Sequence, residues 1–242
     1  MKKKLSFLAA AVLTGFGGFA QASAIFDDFN LTEGHFNLQP TFSSTTTATL
    51  TTSTADRVTT DAVEGAGSEQ LVFNHDATTN SQRVRFLSGS GTVANNTAFN
   101  VTSGTDGYIG LYLKTTASGW KVSLALDGAD GVAASMDGGV QQTVNNDGNW
   151  HLYQWNLDNA SDWGAVTGIG GGHGASGLAN TTHTIDSIMF YDGTTASSVS
   201  QIQLDFVATN DQGSVENLVP EPGMISLAGL AIVGLIRRRH RC

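Results

Sequence analysis

Between residues 25 and 218, the side chains best suited to chemistry are twenty carboxylates, five histidines and four tryptophans. Paired carboxylates at a fixed separation could cleave glycosidic bonds, but no motif selects a pair. Many aspartates instead precede glycine (Asp127, Asp130, Asp137, Asp147, Asp192), which marks turns. There is no Gly-x-Ser-x-Gly elbow and no His-Glu-x-x-His sequence, and His35, His75, His151, His173 and His183 lack the spacing of metal ligands. The stretch GIGGGHGASG (168–177) has the glycines of a phosphate loop but neither its lysine nor a following helix pattern. The one cysteine is Cys242, the last residue, so thiol catalysis and an intrachain disulfide are both excluded. No catalytic residue is assigned, and a polysaccharide hydrolase or lyase with an unrecognised carboxylate pair remains the alternative to a non-enzymatic role.

Two other sets of residues suit binding. Asp27 and Asp28 stand in the opening AIFDDFN, and Asp205 stands in QLDFVATN near the far end. Such carboxylates, with backbone carbonyls, supply the oxygen ligands that calcium takes. Tyr108, Tyr112 and Lys114 fall on the face of YIGLYLKT opposite Ile109, Leu111 and Leu113, a polar and aromatic strip. In WHLYQWNLD, Trp150, Leu152 and Gln154 share one face while His151, Tyr153, Trp155 and Leu157 share the other. Both faces are aromatic, so one is core and the other is open to a ligand. Trp155 joins Tyr108, Tyr112 and Lys114 as a candidate for contact with a sugar.

The elements that carry these residues read as β-strands. Alternation of apolar and polar residues recurs in 108–115, 120–127 and 201–209, and more briefly in 70–74, 82–87, 149–157 and 184–191. In 201–209 the core face is Ile202, Leu204 and Phe206, which turns Asp205 the other way. Gly, Asn, Asp, Ser and Thr fill the gaps, and no segment shows a helical period. The expected fold is all-β, an antiparallel β-sandwich or jelly roll, in one domain spanning 25–218. The stretch 41–60, rich in Thr and Ser, is read as one β-branched strand with solvated flanks, a glycosylated or mobile segment being the other reading.

The charged residues divide sharply along the chain. Residues 25–218 hold five basic side chains against twenty carboxylates, a net charge of −15. That surface repels nucleic acid, whose binding depends on Lys and Arg, and favours neutral glycans, divalent cations or basic partners. The other seven basic residues lie at the ends. Residues 1–24 have three lysines, an apolar stretch and an Ala22-x-Ala24 ending, the pattern of a secretory signal peptide, with a retained membrane helix as the weaker reading. Residues 219–242 have Pro220, Glu221, Pro222 and Gly223, then an apolar run of thirteen residues, then Arg237, Arg238, Arg239 and Arg241. The run is shorter than the ~20 residues of a usual span, although flanking arginines can snorkel to the interface. The basic cluster places the C-terminus on the cytoplasmic side. A helix docked on the body is the competing reading of this run.

Taken in order, Pro220-Glu221-Pro222, the short apolar helix and the arginine cluster resemble the PEP-CTERM sorting signal of Gram-negative bacteria. The resemblance implies export, transient anchoring in the inner membrane, and processing by signal peptidase and by exosortase, an integral-membrane cysteine peptidase. It further implies work at the cell surface or in an exopolysaccharide matrix or biofilm. Cys242 trails the signal, either as a lipidation site or incidentally. The DDF opening, the Trp-x-x-Tyr-x-Trp strand and the TIDSI…LDF close make the body similar to carbohydrate-binding-module-like jelly rolls. That similarity implies polysaccharide binding and a structural calcium near the first and last strands, which in such folds are neighbours.

Overall fold

The computed structural model describes residues 23–76, 81–89, 98–100, 106–128, 136–170, 178, 182–192 and 199–219. They form two antiparallel sheets. The first holds β1 (Ser23–Asp27), β2 (Thr54–Val58), β3 (Ser68–Asn74), β6 (Tyr108–Thr115), β10 (His151–Asn156) and β13 (Val199–Asn210). The second holds β4 (Gln82–Leu87), β5 (Ala98–Asn100), β7 (Trp120–Gly128), β8 (Asp137–Gly139), β9 (Gln142–Thr143), β11 (Trp163–Ala165) and β12 (Thr182–Asp192). Strand order is β10-β6-β13-β3-β2 in the first sheet and β11-β8-β7-β12-β4 in the second. The long β13 pairs with β3 along its first half and with β1 along its second, so first and last strands are neighbours as expected. β1 begins two residues before the expected body, with Ser23 opposite Asn210 and Ala24 opposite Thr209.

Alternation drives the assembly. Ile109, Leu111 and Leu113 of β6 meet Trp120, Val122, Leu124 and Leu126 of β7 in one apolar core. Phe73 packs its ring 5.2 Å from that of Trp120 and 5.3 Å from that of Phe190, separations typical of favourable tilted aromatic pairs. No disulfide supports this core, so apolar burial carries the stability.

β13 departs from strict alternation. Its register shifts between Asp205 and Ala208, a β-bulge, and Phe206 takes a left-handed φ of 50°. Asp205 Oδ1 accepts the Phe206 amide at 2.8 Å, which helps hold this uncommon conformation for a bulky residue. Phe206 therefore does not join Ile202 and Leu204 in the main core. It sits with Tyr112, Ala208 and Val215 in a second cluster, and Val207 takes the inner position instead.

The Thr-rich stretch also differs from expectation. Only Thr54–Val58 forms a strand, while Thr47 pairs with Arg83 and Thr49 with His75 as isolated bridges. The Arg83 guanidinium holds the Thr45 carbonyl from Nη2 at 2.7 Å, fastening this segment along β4. The exposed edge of β2 is occupied by a side chain: Gln39 donates to the Ala55 carbonyl at 3.2 Å and accepts the Ala55 amide at 3.0 Å. On the opposite edge, Gln142 donates to the Gln154 carbonyl at 2.9 Å and Asp162 accepts the Asn156 amide at 2.8 Å.

No α-helix occurs among the described residues, and none there is long and apolar enough to cross a membrane. The expected signal segment up to residue 22 lies outside the described residues. So do Pro220, Glu221, Pro222, Gly223, the terminal apolar run, Arg237, Arg238, Arg239, Arg241 and Cys242, as well as His173.

Candidate functional site

Strand register assembles a polar row across the outer face of the first sheet. Asp56 of β2 lies opposite Gln70 of β3, Gln70 opposite Gln203 of β13, and Gln203 opposite Lys114 of β6. Leu113 pairs with His151, which brings Trp150, at the start of β10, beside Lys114. Gln70, Gln203 and Lys114, with Gln201, Thr116 and Gly148, line a trough of about 220 Å³. The loop after β2 reaches the same face through its contacts with Lys114 and Trp150. Asp61 of that loop accepts from the Lys114 ammonium and, at 3.0 Å, from the Trp150 indole. Those two donors hold its carboxyl below the usual carboxylate range. The Lys114 charge is thus already matched, and the trough offers neutral amides and hydroxyls.

A buried acid fastens the same loop from below. Asp205 is fully buried and accepts the amides of Val63 at 2.7 Å and Glu64 at 3.3 Å. Burial pushes its carboxyl up to about 7, against the pull of those amides and that of Phe206. The Ser68 hydroxyl adds a bond of 2.6 Å to the Asp61 carbonyl. We expect Asp205→Asn to leave the sandwich folded but to loosen this loop. Backbone amide exchange at Val63 and Glu64 should accelerate by roughly tenfold, the effect of losing about 1.4 kcal/mol of charge-assisted bonding. Unchanged exchange at these two amides would show that the loop is held by other contacts.

Of the residues expected to meet a sugar, only Lys114 lines the trough. Tyr112 is buried against Phe206 and Val215, and Tyr108 is partly buried beside the same cluster. Trp155 lies wholly inside the core, its indole donating to the Val140 carbonyl at 2.7 Å, so it presents no face to a ligand. Trp150, from the other face of the same segment, is partly buried against the second cluster and does not line the trough.

The carboxylates expected to share a cation are separated by the sheet. Asp205 lies opposite Tyr112 on the outer face, whereas Asp27 lies opposite Val207, a core residue. Asp28 accepts the Asn30 amide at 3.0 Å and shapes the following turn. Among the described residues, no group of three or more His, Cys, Asp or Glu is arranged to hold a metal. The inner face instead brings Asp27 near Glu69, a residue the sequence reading did not single out. Glu69 is fully buried, and neither of its carboxylate oxygens has a hydrogen-bond partner among the described residues. Burial, with Glu33, Asp56 and Asp27 nearby, pushes it up to about 9. Asp27 is pushed up to about 6 by burial and accepts the His35 amide at 2.8 Å. Gly34, in the left-handed region at φ 57°, passes so close that any Cβ there would collide with the Asp27 carboxylate. Arg57 closes this corner by donating to the carbonyls of Phe29 and Asn30.

No protein-family model matches the chain, and no curated protein matches it. Among solved structures, it is similar to a carbohydrate-binding module (CBM27-1) of Caldicellulosiruptor saccharolyticus in complex with mannohexaose. The identity is 6%, the TM-score 0.45, and the match covers 79% of this chain and 98% of that one. A family 11 carbohydrate-binding module of Clostridium thermocellum in complex with a mixed-linked tetrasaccharide matches at 12% identity and TM-score 0.38, over 66% of this chain and 83% of that one. The glycoside hydrolase domain of Endo-D from Streptococcus pneumoniae R6 matches at 19% identity and TM-score 0.44, over 70% of this chain. The match spans 22% of that domain's length. At these scores no residue role passes from those proteins to this chain.

Proposed function

We propose that this protein is an exported, non-catalytic polysaccharide-binding module of a bacterial cell surface or exopolysaccharide matrix. The observation that carries the reading is the trough, with neutral amides and hydroxyls open to solvent on a sheet face. Sugar hydroxyls both donate and accept, and primary amides answer both roles.

The two terminal segments supply the address. The first carries the protein out of the cytoplasm. The second, with Pro220-Glu221-Pro222 ahead of a short apolar helix and a basic cluster, holds it at the inner membrane until exosortase acts. Intact mass of the extracellular form tests this. A mature chain beginning at Ser23 keeps all of β1, whereas one beginning at Ile25 loses its first two strand pairs.

Calcium belongs to the proposal at the inner corner. Asp27 and Glu69 would supply carboxylate oxygens there, and the ion would neutralise a buried acid whose oxygens have no hydrogen-bond partner among the described residues. The role is structural, since the corner lies on the core side of the sheet and the trough on its outer side.

Binding is tested by native electrophoresis of the chain through gels containing soluble polysaccharide. Retardation by at least one neutral polysaccharide is expected, together with no release of reducing ends. Unretarded migration in every gel would overturn the binding reading, and released reducing ends would overturn the non-catalytic one.

A further inference from the structure

The bond at which the N-terminal signal segment is removed follows from how β1 begins. This step rests on the export reading above. Removal of such a segment needs small residues at the first and third positions before the cut. Ala22-x-Ala24 meets that need, and so does Ala20-Gln21-Ala22, two residues earlier. The pattern alone therefore allows two mature chains, one starting at Ser23 and one at Ile25.

The fold separates them. β1 sets Ser23 opposite Asn210, Ala24 opposite Thr209 and Ile25 opposite Ala208. Ala24 is partly buried and packs against the main core. A cut after Ala24 removes the first two pairs and that contact. It also creates an ammonium within the sheet, opposite the wholly buried Ala208, where a charge is poorly hydrated. A cut after Ala22 keeps all of β1 and puts the ammonium on Ser23, which is exposed at the end of the strand.

A second observation lies at the same end of the sheet. Asp211 directly follows Asn210, so the antiparallel register sets it opposite the position ahead of Ser23. Gly107 packs closely against it, since a Cβ there would come within 2.8 Å of the Asp211 Cα. One carboxylate oxygen of Asp211, Oδ1, is buried and has no hydrogen-bond partner among the described residues. None of the ion pairs among those residues involves Asp211. A buried acceptor left in this state is costly, and a charged donor one position away removes the cost.

Hydrolysis supplies that donor. One water adds across the Ala22–Ser23 bond. Ala22 then ends in a carboxylate, and the proton it sheds passes to the new amine of Ser23. A nitrogen that was an uncharged amide becomes an ammonium with three N–H donors. We infer that the signal segment is cut between Ala22 and Ser23, and that the ammonium so formed pairs with Asp211. Processing thereby adds a charge-assisted bond between the first strand and the end of the last one.

N-terminal sequencing of the exported protein tests the site, in the wild type and in two variants. Ala20→Leu puts a large residue at the third position of the earlier cut only, and Ala24→Leu at the first position of the later cut only. The wild type and Ala24→Leu are expected to start at Ser23, and Ala20→Leu to lose that product. A wild-type chain starting at Ile25 overturns the site while export stands. An exported fraction that is empty, with the signal segment still attached inside the cell, overturns the export reading and this inference with it.

The pair is tested by denaturation of two chains, one starting at Ser23 and one keeping Ala20–Ala22 ahead of it. Asp211→Asn should raise the unfolding equilibrium constant roughly tenfold in the first. In the second, where the Ser23 nitrogen is an amide, it should change nothing. An equal effect in both chains overturns the pair, and because the comparison is a difference, a general loss of stability cannot imitate it.

Discussion

Replacing Trp155 with alanine is expected to lower stability by about 3–5 kcal/mol, the range for truncating a fully buried tryptophan. In a chain of this size, that is a fall of roughly 10 °C or more in Tm. Two losses combine. The indole occupies the centre of the core beside Tyr153 and Leu157, and its departure leaves a cavity too well walled to collapse. Its N–H also satisfies the Val140 carbonyl, which ties the segment after β8 to β10. The fit is tight, since a Cβ on Gly139 would approach the indole nitrogen to 2.6 Å. Trp155→Phe separates the two effects. It keeps most of the volume and leaves the carbonyl without its donor, so about 1–3 kcal/mol of the loss should remain. A Trp155→Ala protein as stable as the wild type would mean that the core is not closed around this residue.

The second large effect concerns Glu69 and pH. Burial raises its pKa in the folded state to about 9, whereas the unfolded chain releases the same proton near 4.5. Between those values the folded state binds more protons than the unfolded state, so stability must fall as pH rises through the window. Asp205, raised from 3.8 to about 7, and Asp27, raised to about 6, act with the same sign over narrower windows. All three shifts have the same sign, so their losses reinforce one another as pH rises. In chelator, denaturation midpoints should therefore decline from mildly acidic to alkaline pH, and Glu69→Gln should flatten much of that decline. Calcium should reverse it in the wild type, because ionised carboxylates are what the ion requires, and should do nothing for the glutamine variant. A midpoint independent of pH would show that Glu69 is not held neutral. A calcium response that survives Glu69→Gln would place the ion elsewhere.

These residues differ in how far the sequence announces them. β6 and β4 match their periodic segments end to end, because alternation over six or eight residues leaves few other options. Alternation alone puts Phe206 on the core face, because a bulge inverts the pattern and nothing in LDFVAT marks one. Glu69 was legible in principle. It shares a face with Leu71 and Phe73, and a carboxylate on the apolar face of a strand signals a buried acid, but a strand begun at Gln70 misses it by one residue. Trp150 and Trp155 could not be told apart as surface and core while both faces of their strand were aromatic. The trough was not legible at all. Gln70, Gln201 and Gln203 look like ordinary solvent-facing residues until pairing between strands distant in sequence sets them side by side.

Gln39 bears on how densely such molecules can be held together. Stray strands add to one another through exposed edges, and cross-β fibrils grow by the same hydrogen bonds. At Ala55 the carbonyl and amide that a newcomer would seek are both occupied by one glutamine side chain. On the far edge, Gln142 and Asp162 occupy the corresponding groups of Gln154 and Asn156. Copies crowded together would be pressed edge to edge for long periods. At these two places a strand arriving from a neighbouring molecule finds the groups it would pair with already taken.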